Sequence, residues 1–220
     1  MTPFFRSLAP SAPAPERTRG RRALPSPDSV LVVCTGNVCR SAYAEHALQA
    51  RVTALVPRRV EVGSAGSQPN QSLTVPSPLL RLGAEAGITG LAAHRPTVLM
   101  PFMVREADLV LTASQEHMRF ALHETPAAIG RMFTLLELAA LVEAMDERHG
   151  PEWIPAGAGV RAFAQEAAHH RALARSSGRP LDVTDPFRGP EEGYAEMVGL
   201  MDPALDVIAE ALARAVTPLD

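Results

Sequence analysis

The sequence of 220 residues predicts an α/β fold, in which about four parallel strands form a doubly wound sheet with helices on both faces. The first observation is the run Val30-Leu31-Val32-Val33, because an uninterrupted aliphatic run is typical of a strand buried on both faces. The second is that short apolar runs alternate with segments of helical pattern, which is the signature of βαβ units. These observations together indicate a parallel sheet.

The predicted elements follow that alternation along the chain. A Gly-Asn turn after the first strand leads into a helix that ends before Pro57, and Gly87 closes the second helix. Strands are predicted at residues 30–33, 60–64, 108–112 and 132–133. Helices are predicted at residues 40–55, 77–86, 115–123, 135–148 and 160–175.

A last helix is predicted to begin after Pro190. Two glutamates follow this proline, and the helix dipole favours acidic side chains in a first turn. Apolar residues then recur at spacings of three and four, so one stripe is expected to face the core. Pro203 lies inside the segment and is expected to kink the helix. The stripe consists of Tyr194, Met197, Met201, Leu205, Ile208 and Leu212.

The composition divides the chain into a tail and one domain. Residues 1–28 contain six prolines among Ser, Ala and Arg, which leaves too little apolar surface to offset the entropy of ordering them, so a disordered tail is predicted. Residues 29–215 are predicted to form the domain. Prolines and glycines interrupt its alternation after residue 148, so residues 149–182 are interpreted as an insertion on the rim of the sheet.

The charges argue against a nucleic-acid partner. All 21 basic residues are arginines. Five of them and two of the acidic residues lie in residues 1–28, which leaves 16 arginines against 22 acidic residues in the rest of the chain. Residues 29–220 therefore carry a net negative charge, and they are not expected to bind nucleic acid, which requires clustered positive charge.

Other patterns predict where the protein works and what it lacks. No run approaches the roughly 18 apolar residues that a membrane helix requires, and the N-terminus lacks the apolar segment of a secretory signal. We therefore expect a cytoplasmic protein. Two cysteines are too few for a disulfide framework or a structural zinc site, so we expect the cysteines to take part in chemistry. No cofactor or metal site is expected, since the adjacent His169 and His170 would point to different faces of a helix.

The segment between the first strand and the first helix carries the residues expected for chemistry. Its location at the carboxyl edge of a sheet is where open α/β folds bind ligands, and successive backbone N–H groups there favour an anion. Gly36 and Asn37 tolerate the left-handed backbone angles that make such a loop concave, and Arg40 would bind two phosphate oxygens with its fork of N–H groups. The segment reads Cys34-Thr35-Gly36-Asn37-Val38-Cys39-Arg40-Ser41.

The same surroundings predict a reactive sulfur at Cys34. Helix N-termini and neighbouring cations favour the thiolate form of cysteine, so we expect Cys34 to be ionised at neutral pH, with Ser41 donating a hydrogen bond to it. Cys39 has two interpretations: it either packs under the loop or pairs with Cys34 in a reversible disulfide that protects the thiolate.

Residues 32–45, VVCTGNVCRSAYAE, closely resemble the signature of the low-molecular-weight protein tyrosine phosphatases. Further segments of the chain follow in the family's order: Ser64-Ala65-Gly66, His94-Arg95, residues 107–111 and Asp185-Pro186-Phe187. The resemblance covers roughly residues 29–215. It implies a flavodoxin-like fold and a phosphatase that works through a phosphocysteine intermediate on phosphorylated proteins or small aryl phosphates.

The resemblance also implies roles for individual residues. Cys34 would be the nucleophile, Arg40 the phosphate clamp and Asp185 the general acid. The remaining loop residues, Thr35, Gly36, Asn37, Val38, Cys39 and Ser41, would bind phosphate, and Asn37, Ser41, Ser64 and His94 would form a network that holds the loop.

An acid is required by the chemistry as well. A tyrosine leaving group has a pKa of about 10, so it departs poorly at neutral pH unless a side chain donates a proton. Asp185 precedes a proline in a loop that can overhang the phosphate site. Asp202 shares the Asp-Pro dipeptide, but it falls inside the predicted last helix and is expected to face solvent.

The chain departs from the family pattern at several positions. Ala42 stands where the family has proline, which is expected to loosen the first helical turn without affecting the chemistry. Two other departures bear on the substrate: Gln68, Pro69 and Asn70 occupy a loop that often carries an aromatic residue, and Phe187-Arg188 stands where some members have two tyrosines. A subfamily that hydrolyses phosphoarginine carries threonine at the position of Val38, so the apolar Val38 favours the tyrosine branch.

Two other functions remain open at this point. Arsenate reductases share the fold and the loop, and those that pass a disulfide to downstream cysteines are excluded because no cysteine follows Cys39. A reductase that uses an external small thiol remains an alternative. A non-catalytic phosphate-binding module is the third class, and the presence of Cys34, Arg40 and Asp185 together argues against it.

Overall fold

The computed structural model describes residues 27–176 and 178–218 and shows one parallel sheet of four strands. The strand order is β2-β1-β3-β4, which is the flavodoxin-like order. The predicted α/β class is therefore confirmed. The predicted tail falls almost wholly in residues 1–26, which lie outside the described residues. The strands are β1 Asp28–Cys34, β2 Val60–Gly66, β3 Leu109–Thr112 and β4 Met132–Thr134.

Helices cover both faces of this sheet. The structure adds α3, which the sequence analysis did not predict because six residues are too few to show a periodic pattern. It also divides the predicted helix 160–175 in two at His170. The helices are α1 Arg40–Leu55, α2 Ser77–Glu85, α3 Pro101–Glu106, α4 Gln115–Glu124, α5 Leu135–His149, α6 Val160–His169, α7 Arg171–Ser176 and α8 Glu191–Val216. Short 3-10 turns lie at Leu91–Ala93, Pro126–Arg131 and Pro151–Trp153.

The central strand β1 explains why the apolar run folds as it does. Successive side chains of a strand point to opposite faces, and here Val30 and Val32 join the core under α1, α5 and α8, while Leu31 and Val33 join the core under α3 and α4. Each such side chain contributes roughly 1.5–3 kcal/mol when it is fully buried. A strand with one polar face could pack against only one of the two hydrophobic cores.

The register of the strands places the functional loop. Cys34, the last residue of β1, pairs with Gly66, the last residue of β2, and Val33 pairs with Thr112 at the end of β3. The carboxyl ends of three strands therefore meet at one edge of the sheet. The turn from β1 reaches α1 within five residues, with Cys39 as the N-cap of that helix.

The predicted rim insertion, residues 149–182, packs in part against the sheet. Val160 and Phe163 of α6 are fully buried, because α6 has its own apolar stripe and covers β1 and β3. Arg161 adds an ion pair with Asp108, its Nε donating to Oδ1 at 2.8 Å. The expectation of a rim position is therefore wrong for α6, whose side chains contribute to the core.

The last helix begins at Glu191, as the sequence predicts, and runs without interruption to Val216. Pro203 lies inside it and removes one backbone donor, but helical structure continues on both sides. Among the described residues, no helix combines the length and the apolar character needed to cross a membrane.

Candidate active site

The turn between β1 and α1 forms one wall of a cavity of about 160 Å³ at the carboxyl edge of the sheet. Such an edge is where doubly wound folds bind ligands. The three residues that the sequence analysis assigned to catalysis all line this cavity. Its lining includes Cys34, Thr35, Val38, Arg40, Asp185 and Phe187.

Cys34 ends β1 with its side chain almost fully buried, yet its atoms line the cavity. The Ser41 hydroxyl lies 2.9 Å from the sulfur, and the backbone N–H of Asn37 donates to the sulfur at 3.3 Å. Both groups stabilise negative charge on the sulfur. A nucleophile in this position meets its substrate only through the cavity.

Asn37 holds the loop from within. Its backbone has a left-handed φ of 53°, which turns the loop, and asparagine tolerates this angle better than most residues. Its side-chain amide donates to the hydroxyls of Ser41 at 2.9 Å and Ser64 at 2.7 Å, and its Oδ1 accepts the N–H of Thr97 at 2.8 Å. His94 Nε2 lies 2.9 Å from the Asn37 carbonyl oxygen. The structure thus brings the four predicted support residues together.

The end of β2 comes unusually close to this loop. A Cβ atom on Gly66 would lie 2.5 Å from the carbonyl oxygen of Thr35 and 3.1 Å from the Cβ of Asn37. Real Cβ contacts of 2.5 Å to a carbonyl oxygen do not occur, so glycine is required at this position for the loop to keep its shape.

Arg40 reaches the cavity from the first turn of α1. Its Nη2 donates to Asp185 Oδ2 at 2.6 Å and its Nη1 donates to the Val183 carbonyl oxygen at 3.3 Å. Its Nε is buried and has no hydrogen-bond partner among the described residues. A buried, unpaired guanidinium N–H carries a free-energy cost, and a phosphate oxygen can relieve it.

Asp185 lies in a segment that is tied to the neighbouring strand. The N–H of Val183 donates to the Ala113 carbonyl oxygen at 2.8 Å, and Asp182 accepts the N–H of Gln115 at 2.9 Å. These bonds place Asp185 over the cavity, with 45% of its side chain exposed. The Asp185 carboxylate therefore borders both the cavity and solvent.

Asp202, the rival Asp-Pro carboxylate, has a structural role. Its Oδ1 accepts hydrogen bonds from the Tyr43 hydroxyl and from Arg51 Nη2, both at 2.9 Å. Burial and the bond to Asp202 raise the pKa of Tyr43 well above its ordinary value. The expectation that Asp202 simply faces solvent is wrong, since it joins α1 to α8 away from the cavity.

His117 is a site residue that the sequence analysis did not single out. Its Nε2 lies 2.8 Å from Thr35 Oγ1 in the loop, and its Nδ1 lies 2.7 Å from Ser114 Oγ, the N-cap of α4. Burial, and to a lesser degree the positive charge of Arg40, lowers the pKa of His117 to about 4. A neutral imidazole thus links the start of α4 to the loop. The sequence signal that could have identified His117 is its position shortly after β3. Neighbouring parallel strands end at the same edge of the sheet, so residues that follow β3 lie near the loop that follows β1.

Cys39 is buried beneath the loop as a free thiol. Burial is the main cause that raises its pKa to about 12, and the negative charges of Asp185 and Cys34 add to the effect. At neutral pH its sulfur is therefore protonated. Cys39 is a poor nucleophile in this environment, whereas Cys34 lines the cavity and has hydrogen-bonding groups around its sulfur.

The outer walls of the cavity determine what can accompany a phosphate group. Val38, Leu73 and Phe187 supply apolar surface, while Gln68 and Asn70 supply uncharged polar groups. Such a slot fits a flat aromatic ring next to the phosphate site. Asp185 is the one acidic side chain among the described residues that line it.

Sequence comparisons agree with this geometry. The profile of the family "Low molecular weight phosphotyrosine protein phosphatase" matches residues 29–148. The low molecular weight protein-tyrosine-phosphatase Etp of Escherichia coli K12 is 34% identical over 90 residues, which are 41% of this chain and 57% of Etp. The probable phosphatase AmsI of Erwinia amylovora is 30% identical over 104 residues, or 47% of this chain and 68% of AmsI. The chain thus spans little more than half the length of Etp.

Solved structures extend the likeness beyond residue 148. The low molecular weight protein tyrosine phosphatase from T. tengcongensis superposes with a TM-score of 0.60 at 26% identity, over 83% of this chain and 98% of that chain. The YwlE arginine phosphatase from Geobacillus stearothermophilus also has a TM-score of 0.60 at 26% identity, over 84% of this chain and 92% of that chain. The profile match includes the loop and all four support residues, and more than half of the chain lies within it. The chain therefore belongs to the low molecular weight phosphotyrosine protein phosphatase family.

Proposed function

We propose that this protein is a phosphatase that hydrolyses phosphotyrosine and related aryl phosphate monoesters through a phosphocysteine intermediate. The observation that carries the proposal is that Cys34, Arg40 and Asp185 line one cavity of about 160 Å³, with hydrogen-bond donors directed at the sulfur. Asp185 lies beyond the end of the family match, so its role is supported by this geometry.

In the first step the Cys34 thiolate attacks the phosphorus atom. The new S–P bond forms as the bond from phosphorus to the aryl oxygen breaks, and the electron pair of that bond goes to the aryl oxygen. Asp185 donates a proton to this oxygen, so the product leaves as a neutral phenol. Arg40 binds two non-bridging oxygens of the phosphate, through Nη2 and the unpaired Nε.

In the second step water attacks the phosphocysteine. Asp185, now a carboxylate, accepts a proton from the water, and the S–P bond breaks with its electron pair returning to the sulfur of Cys34. Ser41 and the N–H of Asn37 stabilise the thiolate that leaves. The net reaction converts an aryl phosphate and water into a phenol and phosphate.

The walls of the cavity support an aryl substrate. Val38 and Phe187 present apolar surface to the group attached to phosphate, which suits an aromatic ring better than a charged guanidinium. One solved relative is titled an arginine phosphatase, so phosphoarginine is the substrate to compare. Both cysteines are free, the state that a reducing compartment maintains, and the proposal includes a cytoplasmic location.

The test is a steady-state comparison on the full chain. We expect phosphate release from phosphotyrosine peptides with no thiol consumed, and much lower kcat/KM on phosphoserine and phosphoarginine peptides. Arsenate with glutathione is the remaining arm, and arsenite formation that consumes thiol would instead indicate a reductase.

Cys34→Ser is the decisive variant. We expect it to lose turnover by at least about a thousandfold while it still binds phosphate, because the oxyanion contacts of Arg40 remain. Cys39→Ser is the matched control and should retain activity. Unchanged hydrolysis in Cys34→Ser would contradict the mechanism.

A further inference from the structure

Behind the phosphate loop, on the side away from the catalytic cavity, three side chains point potential metal ligands at one another. They are Glu45 and His46 of α1 and His94, which follows the 3-10 turn Leu91–Ala93. The side chains of Glu45 and His46 are 20% and 21% exposed, and that of His94 is 5% exposed. The cluster is thus partly enclosed, unlike a chance group of acids on an open surface.

The tautomer of His94 is fixed by the loop. Its Nε2 lies 2.9 Å from the carbonyl oxygen of Asn37, and a carbonyl oxygen only accepts, so Nε2 carries the hydrogen. In the neutral ring Nδ1 is then a lone pair. This lone pair faces His46 Nε2 at 3.3 Å and Glu45 Oε2 at 3.6 Å. A histidine that donates one N–H to a backbone carbonyl and offers its other nitrogen is the usual arrangement of a metal ligand.

His46 is held in the orientation that the cluster needs. Its ring is perpendicular to that of His94, with centroids 5.4 Å apart and an interplanar angle of 88°. On the other edge of the ring, a Cβ atom on Gly90 would lie 2.9 Å from Nδ1, and Gly90 has a φ of 104° that favours glycine. The close approach of Gly90 at Nδ1 leaves Nε2 directed at Glu45 and His94.

The distances within the cluster match the edges of a tetrahedral zinc site. Bonds of about 2.0–2.1 Å from zinc to nitrogen or oxygen place neighbouring ligands about 3.3–3.5 Å apart. His94 Nδ1 lies 3.3 Å from His46 Nε2 and 3.6 Å from Glu45 Oε2, while the other carboxylate oxygen, Glu45 Oε1, lies 3.9 Å from His46 Nε2. A rotation of the Glu45 carboxylate that presents one oxygen to both nitrogens would complete three corners.

The surroundings leave room for a fourth ligand. Glu45, His46 and His94 line a separate cavity of about 510 Å³, which Gly63 and Thr97 also border. Ser64 donates to Glu45 Oε2 at 2.5 Å, and a carboxylate has enough lone pairs to keep this bond while it binds an ion. Arg95 borders the same cavity, with its guanidinium bonded to the carbonyl oxygens of Ala93 and His94.

We propose that Glu45, His46 and His94 form a binding site for Zn²⁺, with a water molecule as fourth ligand, that braces the phosphate loop from behind. Two imidazoles and one carboxylate with an open fourth position are a donor set that zinc accepts. The hydrogen bond from His94 Nε2 to the Asn37 carbonyl oxygen would then orient the His94 ring toward the ion. No bond to the reacting phosphate is involved, and the proposal does not depend on the substrate.

The test uses the full chain in a Cys34→Ser background, without an affinity tag, so that the reactive sulfur cannot bind the ion. After removal of metals with a chelator, Zn²⁺ is titrated by calorimetry, and Co²⁺ is followed by its visible absorption. We expect one equivalent of each ion, the strong visible bands of four-coordinate cobalt and an increase in Tm with zinc.

His46→Gln and His46→Ala remove one ligand without touching the loop. We expect both to weaken zinc binding at least about a hundredfold, since changes even outside the first ligand shell cost 10- to 100-fold. His123→Ala removes an exposed histidine on α4 and should bind zinc like the parent protein. Folding of the metal-free variants is checked by circular dichroism, and His46→Gln keeps most of the side-chain volume.

Three outcomes would overturn the proposal. The first is that the parent protein binds no equivalent of zinc, and the second is that His46→Gln folds normally and binds zinc as tightly as the parent. A thiolate-to-cobalt charge-transfer band would place the ion on Cys39 instead. None of these results bears on phosphatase activity, so the site and the proposed reaction fail or stand separately.

Discussion

Arg40 and Asp185 form an ion pair on the wall of the active-site cavity, with Nη2 and Oδ2 2.6 Å apart. The arginine is almost fully buried, whereas nearly half of the aspartate side chain is exposed. A phosphate dianion that binds Arg40 competes with this pair and releases Asp185. In the proposed mechanism the Arg40 guanidinium therefore contacts first the Asp185 carboxylate and then the phosphate.

Asp185→Asn tests the acid directly. We expect kcat/KM for phosphotyrosine to fall about 10²- to 10³-fold, because a phenolate is then expelled without a proton. Hydrolysis of an aryl phosphate with a nitro-substituted, good leaving group should slow far less. Asp182→Asn is the control, because it removes a negative charge three residues away but keeps a side-chain oxygen that can accept the N–H of Gln115. Equal slowing of both substrates would remove Asp185 from the role of acid.

Asn37 offers a test of loop geometry that separates backbone from side chain. Asn37→Ala loses two donated hydrogen bonds and the one accepted from Thr97, and it places alanine at a φ of 53°, so we expect a loss of about 2–4 kcal/mol in the free energy of unfolding. Asn37→Gly loses the same bonds but accepts the angle, and should be less destabilised. We expect kcat to fall about tenfold or more in both. Urea unfolding and steady-state kinetics measure these effects, and normal kcat in Asn37→Gly would show that the network does not position Cys34.

His117 predicts a pH dependence of stability. Its folded-state pKa of about 4 lies below the ordinary value of 6.5, so above pH 6.5 neither state binds the proton and the group contributes nothing. As the pH falls below 6.5 only the unfolded chain is protonated, and stability decreases until the pH reaches the folded-state pKa. Between pH 6.5 and 5 this amounts to at most about 2 kcal/mol.

His117→Gln should remove this part of the slope. Urea unfolding at several pH values between 7 and 5 measures the difference between variant and parent, in which the other titrating groups cancel. His123→Gln, at a histidine whose side chain is 83% exposed, should leave the slope unchanged. Parallel pH profiles for His117→Gln and the parent would mean that the imidazole is not kept neutral by the fold.

The raised pKa of Cys39 favours the first of its two interpretations, in which it packs under the loop. At a pKa of about 12 roughly one thiol in 10⁵ is ionised at pH 7, and the thiolate is the nucleophile in disulfide formation. We therefore expect the parent and Cys39→Ser to lose activity to peroxide at similar rates and to recover equally with added thiol. Recovery of the parent alone, together with a mass loss of two hydrogens, would establish the disulfide with Cys34.

The parts of the fold that the sequence predicted are those set by local pattern. The Val30–Val33 run identified β1 because only a strand buried on both faces needs four apolar residues in succession. The helix α3 was not predicted because six residues are too few to show a helical period of apolar residues. Within the segment 149–182, α6 was placed on the rim because the prolines and glycines around it were given more weight than its apolar stripe, which fills part of the core.

The candidate site divides in the same way. The loop from Cys34 to Ser41 is contiguous in sequence, so its residue types and its position between a strand and a helix were sufficient to predict an anion site. His117 contacts Thr35, which lies 82 positions away in the sequence, and His46 contacts His94, which lies 48 positions away. A local sequence pattern does not contain such contacts. Asp202 was judged by its place in a helix, and its contact with Tyr43 on another helix could not be anticipated.

That contact makes the last helix part of the support of Cys34, the proposed nucleophile. Tyr43 and Arg51 attach α1 to Asp202, and the N-terminus of α1 carries the loop that ends in Ser41. Amide hydrogens of α1 and α8 are therefore expected to exchange as one cooperative unit. A truncation that removes the chain from Asp202 onward would release α1 and disorder the catalytic loop, although it deletes no residue that touches the substrate.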